Sequence, residues 1–156
     1  MTEELTIHYQ PIVDLVTGEI RGLEALIRFA EPDGSLRAVP ERLNEMESDK
    51  AFFEQVMRRF MEQLRADLKL INEIDQSVYF SINMPPSMIG RGVMRKLISE
   101  LELGDQLGRF VVEVTERQAL TDAGRVSLAE ARELGMRVAV DDFGTGHSGL
   151  AQLLGL

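Results

Sequence analysis

Cysteine is absent from the chain. That excludes disulfide staples and thiolate zinc sites, and it agrees with the reducing cytoplasm in which we expect the protein to work. Histidine is nearly as scarce: the 2 present, His8 and His147, cannot form a His-x-x-x-His metal pair. No apolar run approaches the ~20 residues that a membrane-spanning helix needs. The first residues, Met1-Thr2-Glu3-Glu4-Leu5, lack the basic region and following apolar stretch of a signal peptide. Basic side chains are in deficit, 17 Lys and Arg against 26 Asp and Glu, for a formal charge of −9. Such a chain is a poor binder of nucleic-acid polymers, whose backbones demand basic patches. If its ligand is an anion, metal ions or a few placed arginines must offset the repulsion.

What remains is the composition of a soluble globular domain: 156 residues, 44% apolar and 28% charged, enough for one hydrophobic core. Alternation and turn residues predict five strands, at 5–13, 20–29, 78–83, 109–115 and 136–141. The first is interrupted by Pro11 and leads into a turn, Asp14 to Glu19, with Gly18 at positive φ. In the second, Glu24, Leu26 and Arg28 share one face, while Leu23, Ala25 and Ile27 share the other. Glu31-Pro32-Asp33-Gly34-Ser35 is turn chemistry.

Helices are predicted at 49–74, 88–101 and 122–134. The stripe Phe53, Met57, Phe60, Leu64, Leu68 and Ile71 is core packing, with Ser48 or Asp49 as N-cap. Gly90 and Gly92 weaken the start of the middle helix. Thr121 or Asp122 caps the third, and Gly135 stops it. The last residues, His147 to Leu156, read as the start of a further helix. Strands alternating with helices imply parallel βαβ units, whose chemistry sits at the C-terminal ends of the strands.

Those strands carry oxygen donors: Glu24 in Gly22-Leu23-Glu24-Ala25-Leu26-Ile27-Arg28, Asn83 in Phe80-Ser81-Ile82-Asn83, Glu113 in Val111-Val112-Glu113-Val114-Thr115-Glu116, and Asp141-Asp142 before Phe143-Gly144-Thr145-Gly146. Carboxylate and amide oxygens gathered from separate strands suit a hard divalent cation such as Mg²⁺ or Mn²⁺. Each has a plainer reading. Glu113 could pair with Arg109 or Arg137, although unpaired burial within Val-Val-Glu-Val would be costly. The Asp141-Asp142 pair could cap a following helix. Asp142-Phe143-Gly144 is not a kinase metal triplet, because no Gly-rich loop, strand lysine or catalytic-loop motif accompanies it.

Together with Tyr9-Gln10-Pro11-Ile12-Val13, these segments resemble the EAL-domain family, which hydrolyses the bacterial second messenger cyclic di-GMP. The name-giving motif stands as Glu24-Ala25-Leu26, with Arg28 two residues on. The resemblance spans residues 7–154 and implies an α/β fold, a TIM-like (β/α)8 barrel of the EAL type. A whole barrel takes roughly 250 residues, so residues 1–156 are expected to form one EAL domain that stops after the fifth strand, an incomplete barrel.

The resemblance also implies roles. Glu24, Asn83, Glu113 and Asp141 would hold a first metal and Asp142 would help hold a second, with Glu24, Asp141 and Asp142 catalytic. Arg28 would pair with a ligand phosphate, Gln10 and Leu26 would line the pocket, and Glu116 would anchor a loop that supports metal binding and dimer contacts. The implied reaction is Mg²⁺- or Mn²⁺-dependent hydrolysis of cyclic di-GMP to linear pGpG, with Ca²⁺ inhibitory. The family's later lysine, glutamate and glutamine have no counterpart here, so weak or absent turnover by this chain alone is expected. Partners expected are cyclic di-GMP and either a second copy, as a homodimer, or complementary strands. The alternative is an inactive relative that binds cyclic di-GMP or a protein partner as a sensor or scaffold.

Overall fold

The structure, a computed structural model, describes residues 5–39, 42, 46, 48–84 and 92–142. The expectations for the start of the middle helix, for Phe143 to Gly146, for His147 and for the closing helix lie outside the described residues.

β1 (Leu5–Val13) and β2 (Ile20–Ala30) form an antiparallel hairpin. Its turn closes because Asp14 Oδ1 accepts the backbone N–H groups of Val16 and Thr17 at 2.8 and 3.0 Å, while Gly18 takes φ 74°. Pro11 does not interrupt β1. The strand lies at the edge of the sheet, where a missing N–H costs little. A short strand, β3 (Leu36–Ala38), then pairs antiparallel with the end of β2.

Helix α1 (Lys50–Ile74) starts at Asp49, whose carboxylate accepts from Phe52 N at 3.0 Å. It buries Phe53, Val56, Met57, Phe60, Met61, Leu64 and Leu68 along one stripe. β4 (Tyr79–Asn83), α2 (Val93–Glu100), a 3-10 turn (Gly104–Arg109) and β5 (Phe110–Thr115) follow. The short α3 (Glu116–Ala119), α4 (Asp122–Glu133) and β6 (Arg137–Asp141) complete the described chain. Thr121 caps α4 through Gly124 N, and Gly135 ends it at φ 90°.

The strands make one six-stranded sheet in the order β1-β2-β4-β5-β6, with β3 on β2. A further expectation is corrected. There are six described strands rather than five, because a three-residue strand is too short to show alternation. The first pair is antiparallel, because a tight turn joins it; parallel βαβ pairing begins at β2–β4 and continues through β4–β5 and β5–β6.

One face of the sheet is apolar. Ile7, Ala25, Phe29, Phe80, Ile82, Val112 and Val114 are buried there in a core shared with the α1 stripe and with Met94, Leu97 and Leu128 of the later helices. Tyr9 belongs to this face, and its hydroxyl donates to Asp67 Oδ2 of α1 at 2.7 Å. The other face carries the polar residues.

Candidate functional site

Register, not proximity in sequence, assembles the polar face. Paired residues on neighbouring strands point the same way, as do residues two apart on one strand. Gln10 pairs with Glu24, Glu24 with Ser81, Asn83 with Glu113, and Thr115 with Asp141. Gln10, Glu24, Leu26, Arg28, Asn83, Glu113 and Asp141 therefore all lie on one face, opposite the buried core.

β4 ties the acidic residues on either side of it. Asn83 Nδ2 donates to Glu24 Oε1 at 2.5 Å, linking β4 to β2. Ser81 Oγ donates to Glu113 Oε1, linking β4 to β5. Burial holds the half-buried Glu113 carboxyl above the usual carboxylate range; the Ser81 bond opposes this, and the nearby charges of Glu24 and Asp141 add to it. Arg109 instead donates to Val78 O at 3.0 and 2.7 Å, and Arg137 lies over the Tyr79 ring at 5.0 Å. The plainer reading of Glu113, a pair with either arginine, is not what the structure forms.

Arg28 is half-buried, and its Nη1 donates to Ile27 O at 2.9 Å. Among the described residues no carboxylate pairs with this guanidinium. Asp142 sits just past β6 at φ 55°, with its N–H donating to Asp141 Oδ1 at 2.8 Å. That left-handed step takes Asp142 out of the strand alternation. Glu116 is not on the strand face. It is buried, 4% exposed, in the first turn of α3, which Thr115 and Gln118 close with a capping box.

A cavity of about 500 Å³ opens at the C-terminal end of β4, lined by Leu26, Arg28, Asn83, Glu113, Thr115 and Gln118 together with the apolar Ala25, Ile27, Ala38, Val39, Ile82 and Met84. Its size is typical of a small-molecule site. Gln10, Glu24, Asp141, Asp142 and Glu116 are not among its walls. Sequence reasoning missed Ser81, Thr115 and Gln118. Ser81 had a signal, since it precedes Asn83 by two residues and so must share its face.

Does this donor set fit a divalent cation? Its chemistry does: carboxylates and one amide oxygen on one face, in mutual repulsion that a hard cation would cancel. Among the described residues, no three acidic or imidazole side chains lie close enough together to hold a metal ion by themselves. Asn83 donates to Glu24 through Nδ2, and its carbonyl oxygen Oδ1 is the atom it would offer a cation.

The family model of the EAL domain matches residues 1–156. The chain is similar to the cyclic di-GMP phosphodiesterase NbdA of Pseudomonas aeruginosa, 33% identical over 159 residues, which cover 97% of this chain and 20% of that protein. It is similar to the probable cyclic di-GMP phosphodiesterase PdeN of Escherichia coli, 30% identical over 154 residues, covering 97% of this chain and 30% of that protein. The chain thus spans less than a third of the length of these relatives. Among solved structures it superposes on the PaMucR phosphodiesterase in its c-di-GMP complex with a TM-score of 0.76 and 26% identity, covering 96% of this chain and 62% of that one. It superposes on Klebsiella pneumoniae BlrP1 in a manganese/cy-diGMP complex with a TM-score of 0.65 and 29% identity, covering 96% and 37%. A match across every residue, together with this shared architecture, makes the chain a member of the EAL-domain family.

Proposed function

We propose that this chain carries the active face of a metal-dependent phosphodiesterase that opens cyclic di-GMP to linear pGpG. One observation carries the reading: Glu24, Asn83, Glu113 and Asp141, from four strands, share a single sheet face with the one arginine of β2 that lies beside the cavity. Their stagger supports a barrel. From β2 to β6 the donors climb by two, none and two residues of register, about the average slope of a closed eight-stranded barrel.

In this reading Glu24, Asn83, Glu113 and Asp141 hold one Mg²⁺ or Mn²⁺, and Asp142 helps hold a second. Bound there, the cations supply positive charge to the developing phosphoryl oxyanion. The chain's own residues bind and orient. Arg28 offers a planar guanidinium fork to a phosphate, which a lysine could not match bidentately. Leu26 and Gln10 line the approach, and Glu116, buried at the head of α3, steadies the turn that follows Glu113.

Binding of cyclic di-GMP without turnover is the second reading. It is favoured by the absence, among the described residues, of a preassembled group of three acidic ligands. Calorimetric titration of cyclic di-GMP in Ca²⁺, followed by a Mn²⁺ hydrolysis assay on a version of the chain that also carries the family's later lysine, glutamate and glutamine, separates the two. Cleavage that disappears in Glu24→Ala supports the enzyme. Binding in Ca²⁺ with no cleavage in Mn²⁺ supports the sensor, and full activity in Glu24→Ala removes that carboxylate from the mechanism.

A further inference from the structure

We propose that Ser81 is a positioning residue for the metal centre: its hydroxyl fixes the Glu113 carboxylate so that one oxygen is held and the other is presented to the cation. This rests on the functional reading above.

Ser81 stands in the middle of β4. It is a polar side chain in an otherwise apolar stretch, Tyr79-Phe80-Ser81-Ile82, and it is 1% exposed. A hydroxyl at such a depth must find a partner, since an unmet one costs free energy and a Val or Ala would fill the place at no polar cost. Its register partner on β5 is Val111, yet its Oγ reaches two residues further along that strand, to Glu113 Oε1. A serine hydroxyl has one proton to give, and here it goes to a carboxylate oxygen. With Oε1 so engaged, the carboxylate plane is set and Oε2 is the oxygen left to ligate.

The same strand makes a matching bond on its other side, from Asn83 to Glu24. The two bonds differ in what they join. The Asn83 bond joins two candidate ligands to each other, Nδ2 to Oε1. Ser81 is not a ligand candidate in this arrangement, and its bond to Glu113 can persist when Oε2 meets a cation. Hydrogen bonds of this kind to ligating carboxylates commonly account for ten- to a hundredfold in metal affinity.

The test is Mn²⁺ binding by the 156-residue chain, read by the loss of the free-ion electron paramagnetic resonance signal, which needs no turnover. Ser81→Ala is expected to weaken Mn²⁺ binding about ten- to a hundredfold, and Ser81→Thr, which keeps the hydroxyl, to recover most of the loss. A double-mutant cycle guards against a purely structural effect: in a Glu113→Gln background, Ser81→Ala should change Mn²⁺ affinity by less than about threefold. Unchanged affinity in Ser81→Ala, while the parent binds Mn²⁺, overturns the positioning role and leaves the functional reading standing. An equal loss from Ser81→Ala in both backgrounds also overturns it, because the serine would then act through general packing. No Mn²⁺ binding by the parent chain overturns both.

Discussion

Glu113 concentrates the conflict between folding and function at the scale of one residue. Burial and two neighbouring carboxylates push its proton affinity up, and a single hydroxyl pushes back. Because its folded-state pKa is raised, its contribution to stability is fully present below the unfolded value and is lost as pH rises through the folded one. Above that folded-state value and without metal, the ionised side chain therefore destabilises the fold. Glu113→Gln should raise the thermal midpoint in chelator by a few degrees, while reducing, without abolishing, the rise that Mn²⁺ produces in the parent. The gap between variant and parent should close as pH falls toward about 4. Thermal unfolding in EDTA at several pH values checks this; a variant less stable than the parent at pH 7 would mean that Glu113 contributes to the fold instead of opposing it.

At the scale of elements, the hairpin is anchored from behind. Tyr9 is on the core face of β1, and its bond to Asp67 pins that edge strand to α1. Burial first, then the Asp67 bond and charge, raise the phenol well above its usual range, so the hydroxyl stays protonated and donating. Tyr9→Phe should cost about 1.5–3 kcal/mol in urea unfolding and leave Mn²⁺ affinity unchanged, since the hydroxyl is on the face away from the donors. A change in metal affinity as large as that expected for the site residues would contradict the two-faced account of this sheet.

The same two-faced pattern explains what could be read from the sequence. Strand alternation, the α1 stripe, the Asp49 and Thr121 caps and the stops at Gly18 and Gly135 are local signals, and each is where it was expected. Glu24, Leu26 and Arg28 could be placed on one face from β2 alone. The Ser81–Glu113 bond could not be foreseen, because it depends on register between strands 32 residues apart. β3 was invisible at three residues. Asp142 could be named as a neighbour of Asp141, but its left-handed backbone could not be read from a carboxylate pair.

For the whole molecule, the sheet sorts an acidic chain into a covered apolar side and an open polar one. Helices α1, α2 and α4 bury the first, and the register of four strands lines up the second. A chain of formal charge −9 can take a dianionic ligand onto carboxylates only if positive charge offsets the repulsion, and Arg28 supplies one unit of it. Binding of cyclic di-GMP should therefore depend steeply on divalent metal and nearly vanish in chelator, which isothermal calorimetry would read directly; equal affinity in EDTA and Mn²⁺ would place the ligand elsewhere.

The central claim is that donors far apart in sequence converge on a cation over the polar face of this sheet. Anomalous diffraction from crystals soaked in Mn²⁺ with cyclic di-GMP measures it most directly. The account predicts a manganese peak bounded by Glu24, Asn83, Glu113 and Asp141, with a ligand phosphate near Arg28. No peak at that face, with the carboxylates apart, would contradict it.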